Sequence, residues 1–303
     1  MTGDRYAKFL PPRYRAAITP SSSMWAWRDC RIHIATATAA NAPVRVLAIH
    51  GAGGHSGALW PFAALAAERG AEVIFPDMPL YGRTEVPTPN NVRYADWIDM
   101  LCDLVVAERA RDSRPLVLFG ASMGGMLAYE VAARTGEVAD VIATCLLDPS
   151  DATARSHAAR YGPVGRHAPA LLKFAVPAFG KGRVPVRWLM DIGKMSLDPE
   201  LSRTCADDPL GGGVSVPLAF LASFLSFRHR APEEYAGPKV TLVHPAADTW
   251  TPPESSIAFL RRIPVPTALV MLDGCGHFPV EEPGLSQLVA TMEDIARSHG
   301  WAP

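Results

Sequence analysis

The chain has 303 residues, 49% hydrophobic and 19% charged, and its 29 Lys and Arg against 30 Asp and Glu leave a net charge of -1. The charged share lies below the roughly 25% of average globular chains, which argues for a large core and against disorder. The balanced charge leaves no global field to gather nucleic acid, so that class of partner is set aside.

In chain order, Met24 to Thr38 roughly alternates apolar and polar residues and suits one or two leading antiparallel strands. Val44–Ile49 reads as a short apolar strand buried on both faces and ending at His50. A helix is expected over Trp60–Arg69, a strand over Glu72–Phe75, a helix over Tyr94–Arg109 and a strand over Leu116–Phe119. The sharp Gly120–Gly125 segment leads into a helix ending near Arg134, followed by a strand over Val138–Leu147. The last third repeats the scheme with strand Lys239–His244, helix Glu254–Arg262, strand Thr267–Leu272 and helix Glu282–His299. Such alternation implies an α/β fold with a mostly parallel central sheet flanked by helices.

Residues 150–235 break the pattern. They carry eight prolines, the triple glycine Gly211–Gly213 and helix-like apolar pieces at Ala170–Phe179 and Pro217–Phe227. The segment is read as a helical cap inserted after the sixth strand into a core made of residues 1–149 and 236–303. Proline is enriched throughout, 28 residues against a usual share of about 5%. Pro76, Pro79, Pro149, Pro245, Pro252 and Pro279 fall just past strand ends, where they stiffen the loops at one edge of the sheet.

Cys30, Cys102, Cys145, Cys205 and Cys275 are odd in number and form no C-x-x-C pair, which argues against a disulfide framework or a zinc knuckle and for a reducing compartment. The first residues lack the apolar run of a signal peptide. The longest apolar stretch, Val216 to Phe227, is too short to span a bilayer. A cytoplasmic location is expected.

Gly120-Ala121-Ser122-Met123-Gly124 fits G-x-S-x-G between an apolar strand and a helical pattern, the context in which a strained turn presents a serine Oγ at the sheet edge. A hydroxyl is a weak nucleophile and needs a base, which in turn needs an orienting carboxylate. His277, in the loop after the last strand, is the candidate base. Asp248, in the loop after the strand before it, is the favoured acid, with Asp148 at the end of the strand before the cap as its competitor; Asp273 reads as a turn residue. His50-Gly51-Ala52-Gly53-Gly54-His55 follows the first central strand, where a glycine-rich turn bares its N–H groups. The backbone N–H groups of Ala52 and Met123 are the expected oxyanion donors. His50, Gly51, Gly53 and Trp250, from the same loops, are expected to bind substrate. No acidic or cysteine cluster accompanies His50 and His55, so neither a metal nor another cofactor is expected.

Over residues 24–300 these motifs resemble the α/β-hydrolase superfamily, and most of all its monoacylglycerol lipase, lysophospholipase and carboxylesterase branch. The resemblance implies a Ser122–His277–Asp248 triad acting on a small-molecule acyl ester, with thioester, amide and C–C hydrolysis or a non-catalytic receptor as alternatives. Three positions depart from the common pattern: Leu80 where a glycine is usual, Ala121 where many relatives have histidine, and Trp250 where valine is common. Between residues 151 and 195 the cap carries eight Lys or Arg against two Asp, interleaved with Leu171, Leu172, Phe174, Phe179 and Trp188. This is either a solvated face or a peripheral contact with anionic lipid.

Overall fold

A computed structural model of the chain describes residues 3–39 and 41–302, and their side chains except those of residues 3, 4, 158, 163, 164, 175 and 177–179. Helix α1 (Gly3–Ala7) precedes an antiparallel hairpin, β1 (Ser21–Trp27) and β2 (Cys30–Ala37), turned at Arg28 in the left-handed region. Then come β3 (Val44–Ile49), α2 (Ser56–Glu68), β4 (Ala71–Pro76), α3 (Tyr94–Arg111), β5 (Leu116–Gly120), α4 (Met123–Thr135) and β6 (Asp140–Ala143). The chain then leaves the sheet for α5 (Ala152–Ala158), α6 (Gly162–Phe179), β7 (Arg183–Pro185), α7 (Val186–Leu189), α8 (Pro199–Ala206), β8 (Ser215–Pro217) and α9 (Leu218–Ser226). It returns through β9 (Lys239–Pro245), α10 (Pro253–Leu260), β10 (Thr267–Leu272) and α11 (Gly284–Ser298).

Eight strands form one sheet in the order β1-β2-β4-β3-β5-β6-β9-β10, antiparallel through β1, β2 and β4 and parallel from β4 onward. Parallel pairing brings the carboxyl ends of β3, β5, β9 and β10 to one edge, which is where a doubly covered parallel sheet places its ligands.

The structure differs from the sequence reading at definite points. Arg45 lies inside the run read as apolar, and its fully buried guanidinium sits among the carboxylates of Glu72, Glu108 and Asp112. A buried guanidinium is tolerable only when paired in this way. Strand β6 stops at Ala143, short of the expected Leu147, because the neighbouring β5 ends at Gly120 and the next amides turn to other partners. Thr144 N–H still reaches the Gly120 carbonyl at 2.9 Å, but Leu146 N–H donates to Ser256 Oγ at 2.9 Å. Helix α2 starts four residues before the expected Trp60, where the His55 ring nitrogen Nδ1 accepts from Gly57 N–H at 3.1 Å and caps its first turn. The inserted segment also contains an antiparallel ribbon, β7 with β8, that no local pattern announced.

Residues 3–20 lie across the core, with Tyr6 and Leu10 buried. The Tyr6 hydroxyl donates to Asp208 Oδ2 at 2.5 Å, and the same oxygen lies 3.1 Å from His55 Nε2. Since Nδ1 of that ring is an acceptor, Nε2 carries the proton and donates to Asp208. One carboxylate thus ties the amino-terminal segment, the inserted segment and the loop after β3 together.

Candidate active site

Ser122 joins β5 to α4 with φ 55 and ψ -125, a left-handed conformation that costs a residue with a side chain about 1–2 kcal/mol. Glycines around it permit the close approach. A Cβ on Gly120 would meet the Gly124 carbonyl oxygen at 2.1 Å, and a Cβ on Gly124 would meet that of Ile49 at 2.2 Å. The spacing of the motif is therefore a steric requirement. The Ser122 N–H donates to Thr144 Oγ1 at 2.8 Å, which fixes the turn from the neighbouring strand.

The loop after β10 carries His277, and the loop after β9 carries Asp248. His277 Nδ1 lies 2.7 Å from Asp248 Oδ2, and both groups are buried. Asp248 is the carboxylate on this ring. Asp148 instead accepts from Ser150 N–H at 2.7 Å in a turn of its own, and Asp273 accepts from the Gln287 amide at 2.9 Å. The other Asp248 oxygen accepts from the N–H groups of Trp250 and Thr251 at 2.8 and 2.9 Å. Burial pushes the Asp248 carboxyl up, but the charge and hydrogen bond of His277 and the two bonds from Thr251 outweigh it and hold the group at about 2. Thr251 was not singled out in the sequence. Its hydroxyl donates to Asp248 Oδ2 at 2.6 Å and lies 3.2 Å from His277 Nδ1. The only signal for it was its place three residues after an aspartate in a turn.

Ser122 and His277 line a single apolar cavity of about 120 Å³, together with Gly51, Ala52 and Gly53. Ser122, Ala52 and Met123 also line a second apolar cavity, of about 200 Å³, closed on its far side by the inserted segment through Leu189, Phe220 and Phe224. Among the described residues, no acceptor takes the N–H of Ala52 or of Met123. Trp250 lines the second cavity with its ring 4.7 Å from that of His277.

His50 stands apart from this group. Its ring is fully buried and belongs to the lining of neither cavity. Nε2 accepts from Met78 N–H at 2.9 Å, so Nδ1 carries the proton and donates to the Gly51 carbonyl at 2.8 Å. Burial drops this histidine to about 4, so it is a neutral strut between the loops after β3 and β4.

A sequence model of the Alpha/beta hydrolase family matches residues 46–286. The chain belongs to this family. Among solved structures, this α/β-hydrolase is similar to a soluble variant of monoglyceride lipase from Saccharomyces cerevisiae in complex with a substrate analog, at TM-score 0.78 and 16% identity over 97% of this chain and 99% of that one. It is similar to the monoacylglycerol lipase of Paleococcus ferrophilus at TM-score 0.70 and 19% identity, over 89% of this chain and 99% of that one. A thermostable carboxyl esterase from Bacillus coagulans matches at TM-score 0.72 and 18% identity, over 93% and 98% of the two chains. No curated protein matches the sequence.

The departure at Leu80 has a backbone consequence. Leu80 sits at φ 83, a left-handed position that favours glycine, the residue the sequence resemblance leads one to expect there. Replacing Leu80 by Ala or by Gly removes the same packing, but only Gly also removes the strain. Leu80→Gly is therefore expected to be about 1 kcal/mol more stable than Leu80→Ala in urea unfolding.

Asp77 fixes the same loop, accepting from His33 Nδ1 at 2.8 Å, Ser56 N–H at 2.7 Å and Arg83 N–H at 2.8 Å. Burial raises this carboxyl, and its bonds to His33 and the two amides, with the nearby His50, overcome that and hold it at about 2, below the ordinary 3.8. A depressed carboxylate stabilises the fold above its unfolded value and loses that contribution as pH falls through the folded one. It contributes about 2 kcal/mol, lost between roughly pH 4 and pH 2. Asp77→Asn is expected to unfold at lower urea at pH 7 and to show a flatter loss of stability across that acid window.

Proposed function

We propose that the protein hydrolyses carboxylic esters with apolar acyl groups, lipid-like or small, through an acyl-enzyme. Ser122 Oγ attacks the ester carbonyl while His277 Nε2 takes its proton. Asp248 keeps the other ring proton on Nδ1 and stabilises the imidazolium, and the N–H groups of Ala52 and Met123 receive the oxyanion. His277 then returns the proton to the leaving alcohol, and water, activated by the same ring, releases the acid. The reading rests chiefly on the 2.7 Å contact between His277 Nδ1 and Asp248, on a ring that shares a cavity wall with Ser122. The chemistry calls on no cofactor.

Residues 150–235 act as the cap in this reading, over a core of residues 1–149 and 236–303, with the second cavity between them supplying an acyl pocket. A cytoplasmic location agrees with five free thiols. Among the described residues no helix is long and apolar enough to cross a membrane.

The test pairs a p-nitrophenyl ester series with a fluorophosphonate probe. Covalent labelling at Ser122 together with ester turnover is expected. A protein that binds esters without reacting at Ser122 is a receptor and overturns the reading.

The outer face of the cap favours a lipid contact over a merely solvated surface. Phe174 is 81% exposed and Leu171 56%, among exposed Arg166, Lys173, Lys181 and Arg187, whereas Trp188, also exposed, lines the second cavity. The side chain of Phe179 lies outside the described residues. Co-sedimentation with phosphatidylserine vesicles, but not with phosphatidylcholine vesicles, is expected and should be lost in Phe174→Glu. Equal recovery with both vesicle types excludes the contact.

A further inference from the structure

The apolar cavity shared by Ser122 and His277 does not stop at the loops. Its walls run the full length of β3 on one face, through Val44, Val46 and Ala48, the alternate residues that share a side of a strand. Opposite them stand Leu59, Phe62, Ala63 and Ala66 of α2, at the three- and four-residue spacing that places residues on one face of a helix, with Ala58 beside them. Leu288, Met292 and Ile295 of α11 close the third side. From Val44 to Gly51 the strand spans roughly 20 Å. A volume of about 120 Å³ drawn out over that length is narrow.

Two further observations mark this space as open rather than filled. Val46 and Phe119 lie on central strands covered on both faces, where every side chain should be buried. Both are partly accessible. Along α2 the wall passes from Leu59 and Phe62 to Ala63 and Ala66, and these two alanines stand where leucine is the usual choice for such a layer, which leaves space toward the far end. Its lining includes no charged side chain. Its polar groups are Ser122, Thr144, whose oxygen is taken by Ser122 N–H, the Cys205 thiol and His277.

The direction of the chemistry assigns the arm. His277 must hand its proton to the leaving oxygen, so the alcohol side of the ester lies on the side of that ring. His277 lines this cavity and not the one beneath the cap.

We infer that the leaving group is an unbranched apolar alcohol whose chain threads from Ser122 into the layer between the sheet and helices α2 and α11. This rests on the ester-hydrolase reading and narrows it to alkyl esters. A glycerol leaving group would bury hydroxyls where the wall offers them no partner.

The experiment follows hydrolysis of butanoate esters of straight-chain alcohols from methanol to dodecanol by acid release, with monobutyrin as the glycerol comparator and a parallel series of methyl esters of lengthening acids. For the wild type, kcat/KM is expected to rise with alcohol length and then level off, and monobutyrin to lie at least about tenfold below butyl butanoate. Helix α2 descends from the Gly54 loop to the start of β4, where Ala71 pairs with Val44, so Ala63 lies midway and Ala66 near the far end. Ala63→Leu should shift the plateau to shorter alcohols and Ala66→Leu should trim only the longest. Both should leave the methyl ester series unchanged and Tm unchanged or raised. Ala296→Leu, which fills the same layer from α11, serves if an α2 variant fails to fold. A raised Tm with no change in alcohol preference makes the space a packing void and overturns the inference, as does a preference for monobutyrin. Turnover of no ester by the wild type overturns the ester-hydrolase reading itself.

Discussion

Ser122→Ala is expected to lower kcat by roughly a millionfold and to abolish fluorophosphonate labelling, leaving only the acceleration supplied by binding and oxyanion stabilisation. The fold should be indifferent to the change. The Ser122 backbone bond to Thr144 uses the amide and not the hydroxyl, and alanine keeps the same Cβ at the same strained φ. Ser122→Gly sharpens the test, because it removes both the nucleophile and the strain. It should be as inactive as the alanine variant and more stable than it by about 1–2 kcal/mol. Such a pair reports that backbone strain is held in place here for presentation of the hydroxyl. Residual kcat within a hundredfold of wild type in Ser122→Ala would remove Ser122 from the chemistry.

Asp248→Asn is the second large effect, expected near a ten-thousandfold loss in kcat with a preserved fold. The position of each oxygen explains why. One oxygen accepts from the amides of Trp250 and Thr251, so an asparagine keeps its carbonyl oxygen there and must turn its NH₂ toward His277 Nδ1 and the Thr251 hydroxyl. That amide donates to Nδ1, which drives the ring proton to Nε2 and occupies the lone pair that Ser122 requires. The Thr251 hydroxyl loses its acceptor at the same time. Asp148→Asn is the control, since its carboxylate only closes a turn at Ser150, and kcat should stay within a few-fold. Reversed outcomes for the two variants would reassign the acid.

The sequence carried the elements whose signals are local. Ser122 between an apolar strand and a helix, His277 and Asp248 just past successive strands, and the break in alternation at residues 150–235 all reflect steric or periodic rules that act over a few residues. In the structure His277 Nδ1 lies 2.7 Å from Asp248, and Gly51, Gly53 and Trp250 line the two cavities. His50 reads like a site residue because it neighbours the glycine loop, yet its ring is spent on Met78 and Gly51. Which way a ring turns at the end of a strand depends on what the adjacent strand delivers, and no local pattern encodes that.

The extent of β6, the β7–β8 ribbon, the buried pairing of Arg45 and the tie from Tyr6 through Asp208 to His55 share this dependence on distant partners. The two cavities depend on it most. A run of alanines in α2 reads from sequence as good helix and small core. Only when that face is set against Val46 on β3 and Met292 on α11 does the apolar cavity lined by Ser122 and His277 appear between them. The sequence by itself determined the α/β class and the sharp strand-to-helix turn at Ser122, because close backbone approach and hydrophobic period are written residue by residue. The tertiary structure alone decided which carboxylate lies against His277 and where the apolar cavities open, because hydrogen-bond partners and packing volume are properties of surfaces that meet from far apart in the chain.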